Sequence, residues 1–583
     1  MRNRGPNNFS FLHYNKNKTN IYLLHSRLSI IDLSNRSNQP YEFKDKVLIF
    51  NGEIYNYLEI KKDLERKNIS FETSSDTEVL IKALDFYKER AFEKLEGMWA
   101  FALYDKTKND ILLSRDRFGE KPLCYKKTND GIYFGSEIKF IEKLSKQKEQ
   151  INLIKSKKYL RYGYNSVFLD NETFKKNIYF LNPSTYAKIG KNFHLKKKIY
   201  WSLNNIKEDK QKSFSAHIKD IRKILINSVR IRLRSDVKNI FCLSGGVDSG
   251  GVVSVAAKIL KAKPSTYSII DSNSKKYDET HLINKTLKDT GSKNYNLKVG
   301  KITFLKEIDK ITNYFSSPVL TINYMLYSLM LKDVSKRGYK VILSGNGADE
   351  IFSGYYDHYI YHLLDLKNQK IEFKRNKNLW KKNILSIIRN PRYREIKETN
   401  QKELISVNDN FKSYIKKPVK LKFKIPKVNK SKLKNALIFQ LKERLMPSLY
   451  QEDMNSMMYS VENRAPFLDK NLIEKTLSIP SKYFISNGYS KNILRTSLKG
   501  ILNNSVRKNR KKYGFNASIS SFKDINKNSI IKNLKKNKKR ISQIIDFNKV
   551  KKYINELKFE KLSDEDNKFL FRLISLSSFL NTN

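Results

Sequence analysis

The run Leu243-Ser244-Gly245-Gly246-Val247-Asp248-Ser249 follows the apolar stretch Asn239-Ile240-Phe241-Cys242 and reads as strand, glycine turn and helix. Two adjacent glycines let the backbone approach a ligand without Cβ clashes, and the first N–H groups of the helix predicted over Gly250 to Leu260 point outward as anion donors. A loop of this build holds phosphate. Its spacing is neither that of G-x-x-x-x-G-K-[ST] nor that of G-x-G-x-x-G. A second loop, Leu343-Ser344-Gly345-Asn346-Gly347-Ala348-Asp349-Glu350, ends another predicted strand and adds two glycines and two carboxylates. Asp349-Glu350 alone would more readily be read as an N-cap pair on a following helix. With two such loops in one half of the chain, Asp248 and Asp349 are the pair expected to share one Mg²⁺, a hard cation that takes carboxylate and phosphate oxygens.

The elements that must position these loops lie in the second half. Val237 to Leu243, Ser265 to Asp271, Asn294 to Val299 and Tyr339 to Leu343 read as strands separated by helical stretches, the pattern of a parallel sheet covered on both faces. Ligands bind at the carboxyl ends of such strands. Further helices are predicted over Ser431 to Leu445 and Asn455 to Val461, followed by a basic helical C-terminus. The lysine-rich stretch Lys367 to Lys434, punctuated by Pro391, Pro418 and Pro426, reads as an irregular helical insertion. The first half has a different texture. Tyr22 to Ile31, Val47 to Asn51, Met98 to Asp105, Ile111 to Arg115, Leu123 to Lys126 and Ile132 to Gly135 read as short strands, with helices over Tyr57 to Lys67 and Thr77 to Arg90, the latter capped at Ser75-Asp76. This predicts an α+β sandwich domain over 1–200 and an α/β parallel-sheet domain over 213–583.

With 583 residues, 39% of them apolar, each domain can bury a core. No apolar run is long enough for a membrane span and the N-terminus is polar, so a cytoplasmic protein with no membrane partner is expected. Cys124 and Cys242 are the only cysteines, too few for a disulfide framework. The net charge of +57 comes mostly from lysine spread along the whole length, without an aromatic RNA-binding string, so no nucleic-acid partner is expected.

The glycine loop resembles the SGGxDS pyrophosphate loop of the ATP pyrophosphatases. Together with Glu452-Asp453-Met454-Asn455-Ser456-Met457, Val461-Glu462-Asn463-Arg464-Ala465-Pro466-Phe467-Leu468-Asp469 and Gly488-Tyr489-Ser490-Lys491, the second half is similar to the asparagine synthetase family. In the first half, Ser26-Arg27-Leu28-Ser29, Asn51-Gly52-Glu53-Ile54-Tyr55-Asn56, Ser75-Asp76-Thr77-Glu78 and Arg115-Asp116-Arg117-Phe118-Gly119 resemble the class II glutaminase domain of the same enzymes, an Ntn-hydrolase-type sandwich. The resemblance implies a two-site amidotransferase. Glutamine is hydrolysed in the first domain, ammonia passes through a tunnel, and the second domain activates a carboxylate as an acyl-adenylate. Carried over, Arg27 grips the glutamine α-carboxylate, Asp76 its α-amine, and Asn51 with Gly52 forms the oxyanion hole, with Glu53 completing that site. Leu243, Ser244, Gly245, Gly246, Asp248, Ser249, Ile269, Ser344 and Gly345 match ATP-contacting positions, Asp248 and Asp349 magnesium positions, and Lys491 a catalytic lysine at the pyrophosphate. The implied cofactors are ATP and Mg²⁺; the implied partners are aspartate and glutamine or ammonia. A homodimer is allowed.

Two departures from the family stand out. Members open Met-Cys-Gly-Ile, and the freed cysteine amine serves as its own base; this sequence opens Met1-Arg2-Asn3-Arg4-Gly5-Pro6-Asn7, aligning with a string members reach after their first strand and helix. The N-terminal Cys nucleophile is absent as written, so a missing start, an unfilled place in a sandwich sheet and an inactive glutaminase half using ammonia are expected. Cys124 and Cys242 read as ordinary core cysteines. Second, Asn346 stands where members carry Glu or Asp, and an amide cannot take a proton at neutral pH. The leading reading is aspartate-to-asparagine amidation. Asn346 and the lysine-rich insertion motivate another carboxylate acceptor, such as a sugar acid of surface polysaccharide, while the intact charged site residues argue against a decayed, non-catalytic homologue.

Overall fold

The computed structural model describes the chain apart from residues 17, 191–192, 205, 271–277, 299–301, 389–392, 397–408, 422–427, 429, 512–517 and 583. In the N-terminal domain the strands are β1 (Asn8–Lys16), β2 (Thr19–Arg27), β3 (Tyr41–Phe43), β4 (Lys46–Ile54), β5 (Gly97–Asp105), β6 (Asp110–Arg115), β7 (Cys124–Lys127), β8 (Ile132–Gly135), β9 (Tyr179–Phe180), β10 (Thr185–Ile189) and β11 (Leu195–Ile199). They form an antiparallel six-stranded sheet in the order β11-β10-β6-β5-β4-β3, a three-stranded sheet β8-β7-β9, and the separate hairpin β1-β2. β5 shows why the layers stack this way. Every residue of it is buried, and its side chains alternate between faces. Trp99, Phe101 and Leu103 meet the helices Tyr57–Glu65 and Asp76–Tyr87 in one core, whereas the small Ala100 and Ala102 face Leu123, Leu181 and Phe134 on the other side.

The C-terminal domain is built on five parallel strands, β12 (Asn239–Cys242), β13 (Ser265–Ile270), β14 (Lys293–Lys298), β15 (Val341–Leu343) and β16 (Glu462–Arg464), ordered β14-β13-β12-β15-β16. Phe241 and Leu243 pack with Val252, Val253 and Val229 on one face; Ile240 and Ile342 pack with Met330, Leu331 and Val334 of the helix Ile322–Lys336 on the other. The chain leaves β12 toward β13 and β14, then returns to add β15 and β16 on the opposite side. The loops after β12 and β15 therefore diverge at a switch point of the sheet, where a crevice forms.

The expected strands are present with shifts of a few residues, Asp271 and Val299 lying outside the described residues. Other differences have physical causes. The helix predicted from Gly250 begins at Val247, directly after the glycine turn, and continues as a π-helical turn over Val255–Ile259. The helix predicted over Asn455 to Val461 runs instead over Leu445–Met457, with Pro447 in its first turn, where a missing N–H costs nothing. β1, β3, β9, β10, β11 and β16 escaped prediction: β1 is a half-exposed hairpin arm, β3 and β9 are three and two residues long, β11 is mostly exposed lysine, and β16 is three polar or charged residues. Within the stretch Lys367 to Lys434, Lys370–Asn383 is a regular helix, and Trp380, Ile384 and Ile388 build a small core with Tyr359 and Ile485. Pro391 and Pro426 lie outside the described residues. The ends of this excursion meet at Asp365, whose carboxylate accepts from Ser431 Oγ at 2.5 Å and from the Lys432 N–H at 2.6 Å.

The two domains are joined by buried charge. Arg232, fully enclosed, donates to Glu96 at 2.8 Å, pairs with Asp469 at 3.3 Å and lies over the Tyr55 ring. Removing the cation would leave two carboxylates enclosed at the domain boundary. Arg232→Ala is expected to destabilise the folded protein by about 3–5 kcal/mol, read as a lowered midpoint of thermal or denaturant unfolding.

Candidate functional site

Two constellations emerge, one in each domain. The first surrounds a cavity of about 1410 Å³ whose walls include Arg27, Asn51, Gly52, Glu53 and Asp76, so the five predicted glutamine-site residues share one space. Met1, Arg4, Glu137 and Glu462 also line it. Arg27 ends β2 and is oriented by the carbonyls of Ser34 at 2.7 Å and Ile31 at 3.2 Å and by Asn38 at 3.1 Å. Asp76 opens the helix Asp76–Tyr87, whose N-cap Ser75 accepts from the Thr77 N–H, and its carboxylate accepts from the Ile54 N–H at 2.9 Å. Burial pushes the Asp76 carboxyl up to about 7, a cost that a cationic group beside it would relieve. Asn51 donates to Ser136 Oγ at 3.3 Å. Gly52 has φ +148° and lies so close to the Met98 carbonyl that a side chain would collide with it. Glu53 pairs with Arg464 at 3.3 Å; burial and the nearby Glu462 raise its carboxyl well above the usual range.

His25, which the sequence reading did not single out, also lines this cavity, its Nε2 3.2 Å from the Phe50 carbonyl. Burial pushes it down to about 4, so it is a neutral imidazole at ordinary pH. Cys124 is fully buried in β7 and Cys242 sits at the end of β12; burial pushes both thiols up to about 12. Neither lines the cavity.

The second constellation occupies the carboxyl ends of β12, β13, β15 and β16. The Leu243 N–H donates to the Tyr267 carbonyl at 2.9 Å, which places Ile269, two residues further along β13, beside the first glycine loop. The Ser244 N–H donates to Ser249 Oγ at 3.0 Å and the Gly246 N–H to Ser244 Oγ at 3.3 Å, closing the loop on itself. The Gly245 N–H donates to Glu279 at 3.2 Å, and burial pushes the Glu279 carboxyl up to about 7. From the second loop, the Ser344 N–H donates to the Arg464 carbonyl at 2.9 Å. Gly345 packs directly on the first loop: a Cβ there would sit 2.9 Å from both the Ser249 nitrogen and Asp248 Cβ.

Lys491 joins the two loops. Its ammonium lies 2.6 Å and 2.8 Å from the two carboxylate oxygens of Asp248 and 2.5 Å from Asp349. Burial opposes its charge, but the two carboxylates hold it above the ordinary lysine range. The lysine reaches them from a left-handed residue (φ +55°) at the start of the helix Asn492–Ser497. Asn346 turns toward the helix Leu445–Met457 and donates to the Glu452 carboxylate, which also accepts from Asn463 at 3.1 Å. Sequence reasoning quoted Glu452 within a motif and gave it no role.

A cavity lined by opposed charges in an antiparallel sandwich, joined to a glycine-loop crevice on a parallel sheet, defines an amidotransferase coupled to a ligase. Comparison with known proteins agrees. The glutamine amidotransferase domain model matches residues 1–201 and the asparagine synthase model residues 220–577. The chain is 29% identical over 562 residues to asparagine synthetase [glutamine-hydrolyzing] 1 of Bacillus subtilis, covering 91% of this chain and 84% of the relative. It is 31% identical over 399 residues to a putative asparagine synthetase [glutamine-hydrolyzing] 2 of Methanocaldococcus jannaschii, covering 64% of this chain and 75% of that one. The chain belongs to the asparagine synthase family and is a glutamine-hydrolysing ligase, amidating a carboxylate at the expense of ATP.

The contact of Gly345 with the first loop gives a direct test. Gly345→Ala is expected to push the loops apart and weaken ATP binding about tenfold or more, the usual scale of overpacking, in a calorimetric titration. Gly190→Ala, where nothing lies within 4 Å of the added carbon, should leave binding unchanged.

Proposed function

We propose that this chain converts aspartate to asparagine, activating the side-chain carboxylate as an acyl-adenylate with release of pyrophosphate and transferring nitrogen to it with release of AMP. The observation that carries this reading is Lys491 held between Asp248 and Asp349 at the meeting point of two glycine loops. Backbone N–H groups of glycine loops at strand ends suit phosphate oxygens, and a lysine there neutralises charge that builds up as the bond between the α and β phosphates breaks. Asp248 and Asp349 are oxygen donors on facing loops, the donor set a magnesium ion takes together with phosphate; bound there, the ion would screen the pyrophosphate. Ser244, Gly245, Gly246, Ser249, Ser344 and Gly345 line the path of the phosphates, with Leu243 and Ile269 on the nucleoside side.

In the N-terminal cavity, Arg27 is assigned to the glutamine α-carboxylate and Asp76 to its α-amine, a pairing supported by their opposed charges across one space. Asn51 and Gly52 supply donors for an oxyanion, and Glu53 closes the cavity toward Arg464. Amidation of another carboxylate remains a second reading, favoured by Asn346, which places an amide beside the crevice.

Two measurements separate these readings. Aspartate-dependent exchange of pyrophosphate into ATP is expected, with AMP rather than ADP as the final nucleotide; ADP and phosphate would overturn the adenylate. Asp248→Asn should lower the exchange rate by about a hundredfold or more, since a charge clamp of this kind contributes several kcal/mol. Exchange driven by a sugar acid and not by aspartate would select the second reading.

A further inference from the structure

The helix Leu445–Met457 forms the wall between the two constellations. Met457 lines the N-terminal cavity. Asp453 pairs with Arg4 at 2.8 Å and with Lys121 at 3.4 Å on that same side. One residue earlier, Glu452 points the other way, to the carboxyl ends of β15 and β16, where Asn346 and Asn463 donate to it. Among the described residues no ion pair reaches this carboxylate, and it is 8% exposed. A carboxylate held only by two neutral amides, on the partition between the source of nitrogen and the activated acyl group, is costly to bury unless its charge is used.

We propose that Glu452 is the general base of the amide-forming step, taking the place of a carboxylate at position 346. The inference rests on the adenylate reading above. The nitrogen lone pair attacks the acyl carbon as the C–O bond to AMP breaks, the bonding electrons leave on the phosphate oxygen of AMP, and the proton lost by the nitrogen passes to the Glu452 carboxylate. Asn346 then acts as a positioning residue, its amide orienting that carboxylate. Burial and a like charge favour a basic carboxyl, and the two amides that donate to it oppose them. Burial comes first and the charge of Glu350 second, pushing it up to about 8, against the donated hydrogen bonds of Asn463 and Asn346. The remaining titratable neighbours, Cys242 of β12 and Tyr324 and Tyr327 of the helix Ile322–Lys336, all have pKa values raised by burial. A base of this kind is deprotonated more fully as pH rises through 8, so amide formation at constant free ammonia should climb across that range.

The test uses the full chain with ammonium as nitrogen donor and follows two readouts, aspartate-dependent pyrophosphate exchange and amide formation. Glu452→Gln should retain exchange within about twofold, lose about a hundredfold in amide formation, and lose the rise near pH 8 that remains when rates are compared at equal free ammonia. Glu452→Asp, which keeps the charge, should retain amide formation within about tenfold. The paired change Asn346→Glu with Glu452→Gln, which moves the carboxylate across the hydrogen bond, should recover most of the lost rate. Unchanged amide formation in Glu452→Gln would overturn the proposal. So would an equal fall of exchange and amide formation in both Glu452→Gln and Glu452→Asp, or a raised KM for aspartate with kcat preserved; either would mark a role in folding or acceptor binding. Absence of any carboxylate-dependent exchange in the unaltered chain would instead bring down the adenylate reading, and this proposal with it.

Discussion

Arg464 is the residue on which both constellations lean. Its guanidinium, fully enclosed, pairs with Glu53 in the wall of the N-terminal cavity and with Glu462 beside it. Its carbonyl accepts the Ser344 N–H at the start of the second glycine loop, and its Nη1 donates to the carbonyls of Arg232 at 3.0 Å and Arg234 at 2.6 Å. A buried guanidinium needs nearly all of its donors satisfied at once, and its planar fork accepts few arrangements. The strand β16 cannot slide along β15 without breaking contacts in both domains.

Buried ion pairs of this sort add little net stability, since desolvation offsets attraction. Their effect here is on geometry. Arg4, Lys121, Arg232 and Arg464 each pair with carboxylates at the boundary: Asp453, Glu137, Glu462, Glu96, Asp469 and Glu53. An apolar boundary of the same area would tolerate many small rotations of one domain on the other. A boundary built from directional charges tolerates few, which suits a molecule whose two sites must face each other across a fixed partition.

The glycine loops were legible in the sequence because close backbone approach demands glycine and because the strands before them carry apolar runs. The same holds for β4 to β8, whose alternation survives burial on both faces. The N-terminal site was legible through short motifs whose residues then converge on one cavity. What was hidden depended on contacts between distant segments. β16 is Glu462-Asn463-Arg464, a string without strand character, and it is a strand because Arg464 and Glu462 are held by the other domain. Glu452 lies on a helix without a chemical pattern, and its surroundings are defined by Asn346, far away in sequence. The absence of a carboxylate at 346 was visible; the nearness of another was not. The helix Lys370–Asn383 was obscured by its lysines, and Trp380 is the one residue of it that is fully packed.

Asp365 clasps the first turn of the helix that begins after Ser431, so the chain leaves and re-enters the domain at a single point. The polymer between these residues is a closed loop whose ends are already pinned, and the entropy of such a loop grows only with the logarithm of its length. Inside it, Trp380, Ile384 and Ile388 pin the chain again against Tyr359 and Ile485, so residues added or removed between these anchors cost little in loop entropy and leave the sheet unstrained.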